Sequence, residues 1–181
     1  MNSENNHFII EVSVDSYSEI FNGWDPAPMK RRDLDPDLME FIIESSEDIP
    51  HKLPIEIHFY LPQSIENEEK EGLSIAGIQN NFQFQALYTK KELTQNRKKS
   101  FQYVLLSMIF LLSAYFLGKL ALDHVVYKIA MEGLFIGGWV FLWEAFSIVF
   151  FSDQELHQHL KNYERLVKTP IIFHYHKRNY K

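Results

Sequence analysis

The chain has 181 residues, 46% of them hydrophobic and 15% aromatic, with a formal net charge of −6 and no cysteine. This apolar content excludes a disordered chain, and seven Gly with seven Pro exclude collagen-like or low-complexity architecture. The lack of thiols excludes disulfide frameworks, thiolate zinc sites and cysteine nucleophiles, and a chain of this size leaves no room for a large multidomain enzyme.

The first twenty residues are polar and acidic, which predicts no cleavable signal peptide. From His7 the chain alternates, with Phe8, Ile10, Val12 and Val14 on one side and His7, Ile9, Glu11 and Ser13 on the other, the period of a strand. Gly23, Pro26 and Pro28 mark turns, after which Asp35 and Pro36 form an N-cap followed by proline at the first helical position. The helix they start carries Leu38, Phe41, Ile42 and Ser45 on one face and ends near Ser46, before Pro50. PIEIHFYL, residues 54–61, predicts a second strand, with Ile55, Ile57, Phe59 and Leu61 opposite Glu56, His58 and Tyr60. From Glu66 to Lys99 the chain turns from acidic to amphipathic to basic, which predicts a long helix, with Gly72 and Gly77 counting against it.

Phe101 to Leu117 carries no charge and, at about 1.5 Å per residue, nearly crosses a bilayer as a helix. Residues 118–122 complete the crossing, with Lys119 extending its ammonium to the headgroups. A second run, Gly133 to Phe151, holds one charge, Glu144. The expectation is a transmembrane hairpin over 101–151, since the polar remainder is too short to cover two buried helices. The mean hydropathy of −0.22 reflects dilution by polar flanks. Lys90, Lys91, Arg97, Lys98 and Lys99 precede the first crossing against a single Glu92, which places the head in the cytosol. The connecting segment has no competing basic bias and the tail is basic, so both termini are expected to be cytosolic.

Ala114 and Gly118 on the first crossing and Gly133 and Gly137 on the second are spaced for close helix packing. Antiparallel pairing of Gly118 with Gly133 also pairs Ala114 with Gly137, and places Ser107 opposite Glu144 as its hydrogen-bond partner. Trp139, Trp143 and Tyr127 read as packing and interfacial anchors. Beyond the membrane, Ser152 and Asp153 predict the cap of a short helix through Val167; Pro170 ends it, and IIFHYH is strand-like, with Ile171, Phe173 and Tyr175 on one face.

A lone C-terminal strand has no stability of its own, so the tail is expected to pair with the head's sheet. The expected fold is therefore an α+β membrane protein, a small split βαβ-type cytosolic sheet domain interrupted by a two-helix transmembrane hairpin. Its parts are a head over 1–100, the hairpin over 101–151 and a completing helix and strand over 152–181.

The segments FNGWDPAPMKRRDLDPDLMEFI, AGIQNNFQFQALYTKKELTQNRKKS and EGLFIGGWVFLWEAFSIVFF, with the later YERLVKTPIIF, resemble an uncharacterised family of bacterial two-pass membrane proteins over nearly the whole chain. The resemblance implies a bacterial inner-membrane location with cytosolic ends and carries over no activity or catalytic residue.

The head holds ten Lys and Arg against eighteen Asp and Glu, which disfavours nucleic-acid binding. Asp33, Asp35, Asp37 and Glu44 match the spacing of a calcium loop, but Leu38 stands where glycine must turn, so a capped helix start is the better reading. His157 and His159 would point about 200° apart on a helix and cannot share a metal. His58, His174 and His176 can share a strand face and form a weak metal candidate. Glu144 is the sharpest oddity, because a carboxylate in hydrocarbon is costly without a partner. Motifs for serine hydrolases, P-loops, zincins and dinucleotide loops do not occur, so no enzyme and no cofactor are expected.

The leading functional expectation is a non-enzymatic binding module, with signalling or scaffold role, tethered to the inner membrane and recognising a cytosolic protein or small ligand. The alternatives are an oligomerising effector that permeabilises the bilayer, by analogy with anti-phage systems, and a metal-dependent membrane enzyme. The expected partners are the lipid bilayer and further copies of the chain.

Overall fold

The structure, a computed structural model, describes residues 7–120 and 124–176. Both chain ends and residues 121–123 of the expected connecting segment lie outside the described residues. The chain is mainly helical, with a small parallel sheet and two long apolar helices. It divides into two compact units, Met1–Tyr88 with Leu160–Lys181, and Thr89–His159.

The first unit is built around three strands, β1 (Phe8–Ser13), β2 (Ile55–Pro62) and β3 (Ile171–His176), in the order β1-β2-β3 and all parallel. Phe8 lies beside Ile55, and Ile57 beside Ile171. Alternation puts Ile10, Val12, Ile57, Phe59, Leu61, Ile171 and Phe173 on one face, where they join Ile20, Phe21, Ile42, Ile78, Phe82 and Leu166 in a single core. Phe59 and Phe173 stack with ring centroids 5.2 Å apart. Each fully buried large side chain contributes about 1.5–3 kcal/mol, so this face holds the sheet together.

Between β1 and β2 runs helix α1 (Pro36–Glu47). The Asp35 carboxylate accepts from the backbone N–H groups of Asp37 and Leu38 at 3.1 and 3.2 Å, which is the capping role and not a calcium loop. At the other end of α1, Arg165 replaces a cap. Its guanidinium donates to the carbonyls of Ser46 at 3.0 Å, Ile49 at 2.9 Å and Leu53 at 2.8 Å, and more weakly to that of Pro50. Ser46 Oγ donates to Asn162 Oδ1 at 2.6 Å in the buried interior beside it. These contacts tie residues 160–167 to a loop more than a hundred positions earlier in the chain.

Helix α2 (Glu68–Lys119) passes through both Gly72 and Gly77 unbroken. Gly77 is buried, and a Cβ there would stand 2.7 Å from the Met29 carbonyl oxygen and 2.8 Å from the Phe21 ring. Close approach of the 21–34 loop to the helix therefore demands glycine. Asn80 and Asn81 fasten the same loop by donating to the carbonyls of Lys30 and Arg32.

The second unit contains the apolar part of α2 and helix α3 (Val125–Ser147), followed by a π-helical turn, Ile148–Ser152, and the start of helix α4 (Asp153–Val167), which from Leu160 onward belongs to the first unit. The expected capped start at Ser152 and Asp153 is corrected here. The helix runs on through the π turn, so the backbone N–H groups need no cap, and Asp153 instead lies 3.8 Å from Arg97. Both Glu68–Lys119 and Val125–Val167 are long and apolar enough to cross a membrane.

Candidate functional site

The second face of the sheet carries the polar residues. Register places Glu11 of β1 beside His58 of β2, and Tyr60 of β2 beside His174 of β3. Because β2 is central, its polar positions are covered from both sides, and Glu56 and His58 are only 5% and 6% exposed. Buried polar groups require partners, and these form a chain. His7 Nδ1 lies 2.7 Å from one Glu56 oxygen, His58 Nε2 3.1 Å from the other, and His174 Nε2 3.0 Å from His58 Nδ1. As a carboxylate, Glu56 accepts from both His7 and His58. In the tautomer whose Nε2–H donates to Glu56, His58 Nδ1 accepts from the Nε2–H of His174.

Burial lowers the His174 pKa, the neighbouring His58 lowers it further, and Glu11 opposes both. His174 is thus neutral near pH 7. Tyr60 stacks on its ring at 5.0 Å and donates to Glu11 at 3.0 Å; burial and that bond raise the phenol pKa. The arrangement can pass a proton along ring nitrogens toward Glu56 and can respond to a hydrogen-bonding partner at His174.

The metal candidate of His58, His174 and His176 is corrected in its composition. His58 and His174 come together, but the nitrogens that face each other are engaged in a mutual hydrogen bond, and the other nitrogen of His58 is committed to Glu56. His176, exposed beside Pro62, is not part of this chain, and no group of three or more His, Asp or Glu among the described residues can hold a metal ion. Sequence reasoning missed His7, which stands one residue ahead of β1 and two positions before Ile9, the residue that pairs with Glu56.

A second polar chain lies at the far end of β3. The Asn67 N–H donates to the Tyr17 hydroxyl at 3.3 Å, the Tyr17 and Tyr175 hydroxyls are 2.7 Å apart, and Tyr175 donates to Glu71 at 2.7 Å. Burial first, then the bonds to Tyr17 and Glu71, push the Tyr175 phenol well above its ordinary range. Tyr17 also lines a cavity of about 400 Å³ with Ser18, Met29, Ile65, Asn67 and Lys70. Its mixed polar and apolar wall suits a small ligand.

In the second unit the small residues pack in a different register from the one expected. Gly118 meets Met131, where a Cβ would lie 3.3 Å from the sulfur, and Gly133 has open space around it. Ala114 is buried, and Gly137 approaches the Phe110 ring. The closest approach is at Gly138, where a Cβ would stand 2.7 Å from the Leu111 side chain and 3.3 Å from its backbone nitrogen. This offset also separates Ser107 from Glu144. Ala145 faces α2, its carbonyl accepting from Ser100 Oγ at 3.1 Å, and Glu144, about 100° further round the helix, is exposed. Ser107 is 1% exposed, and its hydroxyl has no hydrogen-bond partner among the described residues. The expected Ser107–Glu144 bond is therefore not made.

Against models of protein families, curated proteins and solved structures, the chain gives no match, so the reading of its function rests on its own residues.

Proposed function

We propose that this chain is a two-pass bacterial inner-membrane protein with both termini cytosolic, whose sheet unit binds a protein or small-ligand partner without catalysing a reaction. The observation that carries the membrane part is the outward aspect of the apolar helices: only 11% of each apolar window is buried. Phe101, Met108, Trp139 and Phe150 are all more than half exposed. Apolar surface on this scale is costly in water and at home in hydrocarbon. The basic run from Lys90 to Lys99 supports a cytosolic head. The cavity beside Tyr17 and the hydrogen-bonded chain ending at His174 support a binding role.

The native chain has no cysteine, so single cysteines report topology cleanly. Gln63→Cys and Val126→Cys, both exposed positions, are to be treated in intact cells with a membrane-impermeant maleimide. Val126→Cys reacts directly and Gln63→Cys only after permeabilisation. Recovery of the protein without detergent, or labelling of both positions from outside, overturns the reading.

A second reading, an oligomerising effector that permeabilises the bilayer, is favoured by Glu144. Exposed within an apolar helix and away from Ser107, it would meet lipid unless another copy covers it. Overexpression should then cause ion leak that Glu144→Ala abolishes; leak that persists in the variant eliminates this mechanism.

A further inference from the structure

The loop end of the paired α2 and α3 helices encloses a groove of about 720 Å³ whose wall is almost wholly apolar. Ala114 and Gly118 form its floor side on α2, and Phe135 and Trp139 its wall on α3. Two charged residues also line it, Lys119 at the end of α2 and Glu132 on α3. They carry opposite charges, and each borders an apolar run, Lys119 following Phe101–Leu117 and Glu132 preceding Gly133–Phe151. Lys119 holds its ammonium 4.7 Å over the Tyr115 ring.

We infer that this groove is a specific phospholipid site, taking one acyl chain against the exposed Phe135, Ile136 and Trp139 and a phosphoethanolamine headgroup at the mouth. The inference rests on the membrane reading above. The headgroup follows from charge complementarity: its phosphate meets the Lys119 ammonium and its primary ammonium donates to the Glu132 carboxylate. A choline headgroup has no N–H for Glu132, and a glycerol headgroup has no cation at all.

Trp139 lines the groove and serves as the reporter. The full chain with Trp24→Phe and Trp143→Phe, leaving Trp139 as the single tryptophan, is to be reconstituted in phosphatidylcholine vesicles containing brominated phosphatidylethanolamine, phosphatidylglycerol or phosphatidylcholine. Brominated phosphatidylethanolamine should quench Trp139 with an association constant roughly fivefold above the other two. Lys119→Gln and Glu132→Gln should each remove that preference while leaving the spectrum in detergent unchanged. Equal quenching by all three lipids means ordinary boundary lipid and overturns the site alone. Absence of quenching by any of them places Trp139 outside hydrocarbon and overturns the membrane reading with it.

Discussion

His174 Nε2 lies 3.0 Å from His58 Nδ1, and these two rings from neighbouring strands connect the partly exposed edge of the sheet to the buried Glu56 carboxylate. Burial of the His174 ring, with His58 beside it, sets the response of the unit to acid. The folded-state pKa of His174 lies below its ordinary value of 6.5, so between the two values the unfolded chain binds more protons than the folded one. Stability from this residue is complete above pH 6.5 and falls as the pH drops below it. Thermal unfolding of the full chain in detergent, followed by near-ultraviolet circular dichroism at pH 7.5 and at pH 5.5, should show acid destabilisation that His174→Gln reduces. An unchanged pH difference in the variant would remove His174 from the response.

Glu56 answers two histidines at once, at 2.7 and 3.1 Å, in a setting 5% exposed. Its removal leaves the buried His58 ring and the half-buried His7 ring without their acceptor, so Glu56→Ala should cost about 2–3 kcal/mol in denaturant unfolding. Glu11→Ala, at an exposed position on the neighbouring strand, should cost less than about 1 kcal/mol. Equal losses would show that Glu56 has no special structural role.

Arg165 spreads one planar fork over carbonyls from Ser46 to Leu53. Arg165→Met should destabilise the first unit by about 2–4 kcal/mol, and Arg165→Lys should recover less than half of that, because a point charge on a flexible stem cannot span the same set. Full recovery by lysine in the same unfolding measurement would mean that charge alone suffices.

The hairpin register gives a paired test. At Gly138 an added methyl runs into the Leu111 side chain with its backbone close behind, whereas Gly133 faces open space. Gly138→Ala should lower the stability of the detergent-solubilised protein by about 1–3 kcal/mol. Gly133→Ala should be neutral or stabilise by up to about 1 kcal/mol through helix propensity. The opposite ranking would restore the register in which Gly118 meets Gly133.

Local features were legible because local chemistry determines them. Alternation located all three strands to within a few residues, and Asp35 with Pro36 marked the start of α1. The unbroken course of α2 through Gly77 was harder to read, since what justifies that glycine is the carbonyl of Met29, far away in the chain. The helix partnership at Ser107 and Glu144 was misread for a related reason. Counting from two small-residue pairs assumes that glycine always faces its neighbour, but bulky Met131, Phe110 and Leu111 settle the register by fitting beside Gly118, Gly137 and Gly138. The buried status of Glu56 and His58 depends on β2 being central, and strand order is not encoded in alternation. The Tyr17–Tyr175 contact lies beyond sequence reasoning for the same reason, because 158 positions separate its members.

The pairing of Ile57 with Ile171 also sets a timetable for biosynthesis. By the time Pro62 leaves the ribosome, β1 and β2 can already pair, but one edge of β2 stays bare until more than a hundred further residues have been made. At about 5–20 residues per second that interval lasts several seconds to some tens of seconds. On the proposed membrane reading, both apolar helices are handed to the insertion machinery in that interval while an unpaired strand rich in Ile, Phe and Tyr waits nearby, a ready template for intermolecular association. Nascent chains stalled before Ile171 should therefore be the species that chaperones hold.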